Sequence, residues 1–368
     1  MVARGAAGRW GVVIALVVVF AALPSVIGAL PASDARVSAK ELRAAVLASD
    51  SVGFSGYAES AGGLLLPVTQ QLSSVADLFS DRTTMRVWWR SPEDNRVDVV
   101  TPGGETGTHR HDAVGTWTWE YERRTATLAL FTPLTLPEPP DLLPNALGHR
   151  LLSEATDAEV SRLGARRVAG RDALGLRLTS GEAASSVRRV DLWVDGDSGL
   201  PLQVQLFGKD ADRPALDTRF LDLELRVPAA ATIDFEPPPG ARVHVAEETD
   251  VVLEAGRRIR PVPLPAELAG LPRRQLDGVP PGIGLFGRGV TLLAVAPLPG
   301  HLAGGLRQAL AQSPNAVVKS TSVRVAVGPV ALMLVDPPGR GPYVLTGTVT
   351  PDALADAAAQ LPELAAQR

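Results

Sequence analysis

Apolar and polar side chains alternate with period two along the stretch from Met85 to Leu130. The clearest part is residues 116–122, where Trp117, Trp119 and Tyr121 alternate with threonine and glutamate. Successive side chains of a strand point to opposite faces, so this pattern predicts a strand with one aromatic and one polar face. We call these three residues the aromatic wall. Short turns divide the stretch into predicted strands at 83–91, 95–101, 105–112, 116–122 and 125–131, and links this short join antiparallel neighbours.

The same alternation returns at residues 187–207 and predicts a hairpin. Val190 and Leu192 alternate with Asp191 and Trp193 before a Gly-Asp-Ser-Gly turn, and Val204 continues the pattern on the return strand. Further strands are predicted at 52–59, 165–169, 173–180 and 217–226. Apolar stripes of helical spacing predict helices at 38–49, 69–79 and 141–152. The first fold prediction is therefore an α+β domain, built on a large antiparallel sheet with helices on one face.

A proline-rich segment separates this sheet from the last hundred residues. Residues 237–259 contain a Pro-Pro-Pro-Gly sequence, and prolines recur just beyond them. Such segments connect domains. The remainder predicts a smaller α+β unit with strands near 289–296, 316–319, 322–327, 330–335 and 343–349, and helices at 300–312 and 351–361. The predicted organisation is 1–33 as a targeting segment, 34–236 as a large domain, 237–259 as a linker and 260–368 as a C-terminal domain.

The N-terminus carries a targeting signal. Arg4 and Arg9 precede an uncharged run from Gly11 to Pro31 with a strongly apolar centre at 11–23. Positive residues followed by such a run are typical of an export signal, and the run is also long enough to remain as a membrane anchor. In both cases residues beyond about 33 are predicted to lie outside the cytoplasm.

Composition excludes several classes of function. The chain has 368 residues, a formal net charge of −4 and no basic run, which argues against a nucleic-acid partner. It contains no cysteine, so disulfides, thiolate metal sites and cysteine nucleophiles are excluded.

Motifs that would carry chemistry have simpler explanations. The Gly282–Gly287 segment matches G-x-G-x-x-G, but it follows two prolines and precedes a predicted strand, whereas a dinucleotide site needs the opposite order. His109 and His111 have no third ligand in the sequence, and Glu120 and Glu122 fit an exposed strand face. Lipase-type, P-loop and H-E-x-x-H motifs are absent. We therefore predict a protein that is not an enzyme and needs neither cofactor nor metal.

The aromatic wall has two interpretations, a packed core or the lining of an apolar cavity, and composition alone favours the core. In the cavity interpretation the ligand-lining residues are Met85, Val87, Trp89, Trp117, Trp119, Tyr121, Val190, Leu192 and Val204.

Two motifs resemble one protein superfamily. The segment from Asp112 to Glu122, with its Trp-Glu-Tyr-Glu end, and the later LWVDGDSGLPLQVQL at 192–206 are similar to the meander and hairpin of the LolA/LolB/RseB superfamily. Members fold an antiparallel sheet into an unclosed barrel with a helical lid, and their cavity binds lipid or acyl chains. The last hundred residues, with a strand that ends at Thr346–Pro351 before a helix, resemble the C-terminal domain of RseB/MucB proteins.

The resemblance implies an extracytoplasmic, lipid-sensing regulator that modulates a membrane anti-sigma factor in an envelope stress response. Its predicted partners are a lipid or acyl-chain ligand and a membrane protein, and its predicted place is periplasmic or anchored facing outwards. One alternative is a LolA-like lipid or lipoprotein carrier without a signalling partner. A second is a secreted hydrolase, for which the sequence offers no nucleophile.

Overall fold

The computed structural model describes residues 32–62, 82–101, 103–111, 115–130, 137–245, 263–275, 283–337 and 341–362. The predicted helix at 69–79, the linker from 246 onwards and residues 1–31 of the targeting segment lie outside these residues. The described chain forms two main sheets, as the alternating patterns predict, and the larger one is mixed and unclosed.

The large sheet has twelve strands in the order β12-β6-β5-β4-β3-β2-β1-β11-β10-β9-β8-β7. Every neighbouring pair is antiparallel except β12–β6, which is parallel. The strands are β1 Phe54–Gly62, β2 Arg82–Ser91, β3 Asp94–Thr101, β4 Gly104–His111, β5 Gly115–Glu120, β6 Thr125–Ala129, β7 Val160–Val168, β8 Arg171–Leu178, β9 Val187–Asp195, β10 Pro201–Gly208, β11 Leu216–Glu224 and β12 Arg242–Val245.

Among the described residues, three α-helices accompany this sheet: α1 Ala39–Leu47, α2 Pro144–Ser153 and the single turn α3 Ala230–Ile233. A capping box begins α1, because the Ser38 hydroxyl accepts the Glu41 N–H and the Glu41 carboxylate accepts the Ser38 N–H. Leu42 and Val46 of α1 and Leu152 of α2 are buried in one cluster with strands β8–β10. The two helices therefore cover one face of the sheet, which we call the helix-covered face.

The second sheet contains six strands in the order β15-β16-β20-β19-β18-β17. They are β15 Gly284–Arg288, β16 Thr291–Pro297, β17 Val317–Lys319, β18 Ser322–Val327, β19 Val330–Val335 and β20 Tyr343–Gly347. Helices α4 Gly300–Ala311 and α5 Pro351–Ala359 pack against different core clusters of this sheet. A two-stranded ribbon precedes it, formed by β13 Glu267–Leu268 and β14 Leu271–Pro272.

Ion pairs and backbone bonds join the two sheets. Arg288 binds Glu159 through two hydrogen bonds of 2.9 Å each, and Arg274 binds Glu154. The segment before β9 also forms an isolated bridge between Ser185 and Val349. The large sheet is thereby connected to the second sheet by both charged side chains and backbone.

Strands β12 to β15 fall where the sequence predicted none. Strand β12 lies inside the predicted 237–259 linker and extends the large sheet by pairing Val243 with Ala126 of β6. Strand β15 begins at Gly284, so the second half of the G-x-G-x-x-G segment is a strand that pairs with β16. Strand β16 follows these glycines, where the sequence predicted a strand.

Candidate functional site

The predicted cavity residues lie on two different faces of the large sheet. Residues paired directly across neighbouring strands share a face. Val87 is therefore on one face with its partners in β3–β5, Val97, Thr108 and Thr118, whereas Trp88 is on the other with Arg96, His109 and Trp117. Trp117, Trp119 and Tyr121 thus point away from Met85, Val87 and Trp89.

This placement corrects the prediction that all nine residues line one cavity. Val190, Leu192 and Val204 fall on the face of Met85, because Leu192 pairs with Val204 and Val204 continues through Thr218, Ser60 and Thr83 across the sheet. The nine residues therefore divide into six on the helix-covered face and the three of the aromatic wall on the opposite face. A period-two pattern separates two faces, but it does not say which face of one strand adjoins which face of the next.

The six residues on the helix-covered face are packed against protein. Met85, Val87 and Trp89 are at most 3% exposed and share a core cluster with Phe54, Phe220 and the Leu142–Leu143 pair that precedes α2. The rings of Phe54 and Trp89 stack with centroids 5.9 Å apart. Val190, Leu192 and Val204 are fully buried beneath α1 and α2. This face is apolar, and it is covered by α1, α2 and the residues just before α2.

The aromatic wall is covered by residues 226–236, which we call the strap. Phe235 packs over β4 and β5. Its ring centroid is 5.7 Å from that of Trp117, 5.9 Å from that of Trp119 and 4.6 Å from that of His109. Trp119 is buried, Trp117 is half-buried, and Tyr121 at the strand end is 37% exposed. The wall is thus a contact surface for another part of this chain.

Three basic side chains hold the strap by its carbonyl groups. Arg90 donates to Pro228 at 2.7 Å, Arg96 to Thr232 at 3.3 Å, and His109 Nδ1 lies 2.9 Å from the Ile233 oxygen. Arg96 also forms a two-bond pair with the buried Asp98 carboxylate, at 2.9 and 2.6 Å. The two guanidinium groups are charged donors, which strengthens their bonds, so the strap is fixed by electrostatics as well as by Phe235.

An open pocket of about 430 Å³ lies between the strap and the sheet beside Trp88. Its lining includes Ser55, Trp88, Val227 and Thr232. The Arg96 guanidinium lies over the Trp88 ring, 4.8 Å from its centre, and forms a cation–π contact with it. The sequence did not predict this region, because residues 226–236 show no periodic pattern and lie between the last predicted strand of the large sheet and the proline-rich segment.

The candidate metal and carboxylate pairs have structural roles. His109 is buried under the strap, whereas His111 is exposed at the end of β4. Glu120 pairs with Arg123, and Glu122 accepts the Glu105 N–H at 3.0 Å. Within the part of the chain that the structure describes, no group of three or more histidine or acidic side chains could hold a metal ion.

Helices of membrane-spanning length and apolarity are absent from the described residues. The predicted signal or anchor at 1–33 lies almost entirely outside those residues.

Comparisons with known proteins give structural neighbours only. No family model and no curated protein sequence matches the chain. The MucA/MucB complex of Pseudomonas aeruginosa matches with a TM-score of 0.52 and 16% identity, over 89% of this chain and 99% of that chain. A structure of MucB in complex with MucA(peri) matches with a TM-score of 0.50 and 16% identity, over 89% of this chain and 100% of that chain.

A LolA-superfamily protein from Nitrosomonas europaea matches over 54% of this chain and 98% of that chain, with a TM-score of 0.25 and 13% identity. The MucB matches extend across both sheets. The two MucB matches confirm the predicted architecture, an unclosed large sheet with a smaller C-terminal sheet unit. The chain has a MucB-type fold.

Proposed function

We propose that this protein is a non-enzymatic, extracytoplasmic regulator that binds the outer part of a membrane anti-sigma factor. The observation that carries the proposal is the match to MucB across both sheets in structures that contain MucA. A lipid carrier would need only the large sheet, whereas this chain adds a second sheet fixed to the first by Arg288 and Arg274. A two-sheet body of fixed geometry suits recognition of a protein partner.

The proposed organisation assigns residues 34–236 to ligand binding and residues 260–368 to partner contact, with 237–259 between them. Strand β12 adds residues 242–245 to the large unit. The N-terminal apolar run would hold or export the protein so that both units lie outside the cytoplasm.

We further propose that a lipid or acyl chain binds at the helix-covered face. Its lining would be Met85, Val87, Trp89, Val190, Leu192 and Val204, all apolar and now closed by α1, α2 and Leu143. An acyl chain would enter by displacing this helical cover, because replacing one apolar contact by another costs little hydration free energy. The aromatic wall, closed by the strap, is the second candidate surface.

Affinity capture from the membranes of the source organism tests the regulator. Recovery of a single membrane protein that binds a sigma factor, followed by saturable binding of its purified outer part to the full chain, is the expected result. Deletion of 260–368 should abolish this binding while thermal unfolding of the large unit remains cooperative. If instead the chain binds no such protein but transfers lipid between vesicles, the carrier alternative is correct.

A further inference from the structure

A basic and apolar surface lies at the outer edge of the second sheet, formed by α4 and β17. The two elements adjoin, because Arg307 of α4 donates a 3.2 Å hydrogen bond to the carbonyl oxygen of Lys319 in β17. Strand β17 pairs only with β18 among the described strands, so its other edge is open. All three residues of β17 are exposed.

Apolar side chains protrude from this surface. Leu302 at the beginning of α4 is 44% exposed, although Leu310, two turns later on the same stripe, is fully buried. Val317 and Val318 are 43% and 56% exposed. Since Val317 and Val318 pair with Arg324 and Val323, they lie on opposite faces of β17. The edge therefore offers apolar groups on both of its sides.

The charged residues in this part of the chain are basic. No aspartate or glutamate occurs between Asp277 and Asp336, although the chain has 40 acidic residues. The same interval contains Arg288, Arg307, Lys319 and Arg324. Arg288 is neutralised by Glu159, and Arg324 lies 3.6 Å from Asp352, so Arg307 and Lys319 are the cations that flank the apolar groups. The neighbouring acid is Asp336, whose N–H binds the Thr321 carbonyl beyond the end of β17.

We propose that this surface, Leu302, Arg307 and Val317–Lys319, docks onto an anionic lipid membrane. Protruding apolar side chains flanked by cations are the features that place a protein in a membrane interface, where the apolar groups enter the headgroup boundary and the cations attract anionic lipids. A stable protein–protein interface buries about 800 Å² on each partner, and three protruding side chains provide far less apolar area. The lipid surface therefore fits this patch better than a protein does.

The absence of cysteine from the chain makes a site-specific test possible. Leu302→Cys and Val318→Cys in the full chain would each carry an environment-sensitive fluorophore. Leu221→Cys is the matched control, because Leu221 is also 44% exposed but lies on β11 of the large sheet. The labelled proteins are mixed with vesicles of phosphatidylcholine alone or of phosphatidylcholine with phosphatidylglycerol. If the N-terminal apolar run binds vesicles, it affects all three labels equally.

The expected result is a blue-shifted emission at positions 302 and 318 only with phosphatidylglycerol, and its quenching by nitroxide lipids. The double variant R307Q/K319Q should lower the ratio of inserted to exposed label about 25-fold, a factor of about five for each cation. Equal emission in the two kinds of vesicle, or the same response at position 221, overturns the proposal. An emission change that follows protein concentration without lipid, or that needs the anti-sigma partner, assigns the surface to a protein contact and also overturns it.

Discussion

His109 and Ile233 form a buried hydrogen bond that fixes the tautomer of the imidazole. A carbonyl oxygen only accepts, so Nδ1, at 2.9 Å from the Ile233 oxygen, carries the proton. Nε2 is buried without a hydrogen-bond partner among the described residues. Burial lowers the pKa of His109 and the Arg96 guanidinium adds to the lowering, whereas the bond to Ile233 and the Asp98 carboxylate oppose it. The neutral imidazole is therefore the form that holds the strap.

Stability is expected to fall in acid because of His109. Its pKa is lowered on folding from the ordinary value of 6.5, so the unfolded chain binds more protons between 6.5 and the folded value. The contribution is complete above pH 6.5 and is lost as the pH falls through that window. In urea unfolding curves, H109Q should weaken the fall between pH 7.5 and 5, whereas His244→Gln, at an exposed position of β12, should leave it unchanged. An equal fall in H109Q and wild type would contradict this prediction.

The Glu159–Arg288 pair is expected to stabilise the junction of the two sheets until strongly acidic pH. Hydrogen bonds from Arg288 and from the Thr156 and Gly181 N–H groups lower the pKa of Glu159 to about 2, against the opposing effect of burial. Because the folded pKa lies below the ordinary value of 4.5, the stabilisation is present above pH 4.5 and is lost as the pH falls from there to about 2.

Glu159→Gln should therefore cost about 2 kcal/mol of unfolding free energy at pH 7, a value discounted for the partly exposed Arg288 side chain. The difference from wild type should shrink towards pH 3 in calorimetry or denaturant unfolding. Glu224→Gln is the matched control, because its pair with Arg226 is exposed and should contribute little. A pH-independent difference would exclude the ion pair as the cause.

Replacing Phe235 should uncover the aromatic wall. Phe235→Ala removes the ring that contacts Trp117, Trp119 and His109, and we expect a loss of about 2 kcal/mol for this half-buried position. Water would then reach the indole rings, so tryptophan emission should shift to longer wavelength. Phe235→Leu keeps most of the apolar cover and should retain the emission of the wild type. Unchanged emission in Phe235→Ala would mean that the strap does not shield the wall in solution.

Local patterns predicted most of the large sheet. The strands of residues 82–129 and the 187–208 hairpin were predictable because each turn joins strands that pair with each other, so local alternation and turn residues were sufficient. The parallel pairing of β12 with β6 was missed because it joins Val243 to Ala126 across more than a hundred intervening residues. The two-face division of the candidate site also needed the observed register, since alternation in β2 and in β5 is satisfied by either relative orientation.

The last prediction asks which face of the large sheet holds a lipid. If an acyl chain binds the helix-covered face, Leu143→Ala should enlarge the space beneath the cover and increase the lipid that co-purifies with the full chain, at a cost of about 3 kcal/mol in stability. Val204→Phe should fill that space and decrease the lipid, with an overpacking cost of about 1–3 kcal/mol.

Trp119→Ala is the control from the opposite face, because Trp119 contacts Tyr121 and Phe235 on the side of the sheet away from the six residues beneath the helices. Mass spectrometry of the extracted lipid should find the wild-type amount in Trp119→Ala. Lipid that is lost in Trp119→Ala but kept in Val204→Phe would place the ligand at the aromatic wall, with the strap as the element that must move. Lipid absent from every variant and from the wild type would leave both faces as packed core, and the regulator would then act through its protein partner alone.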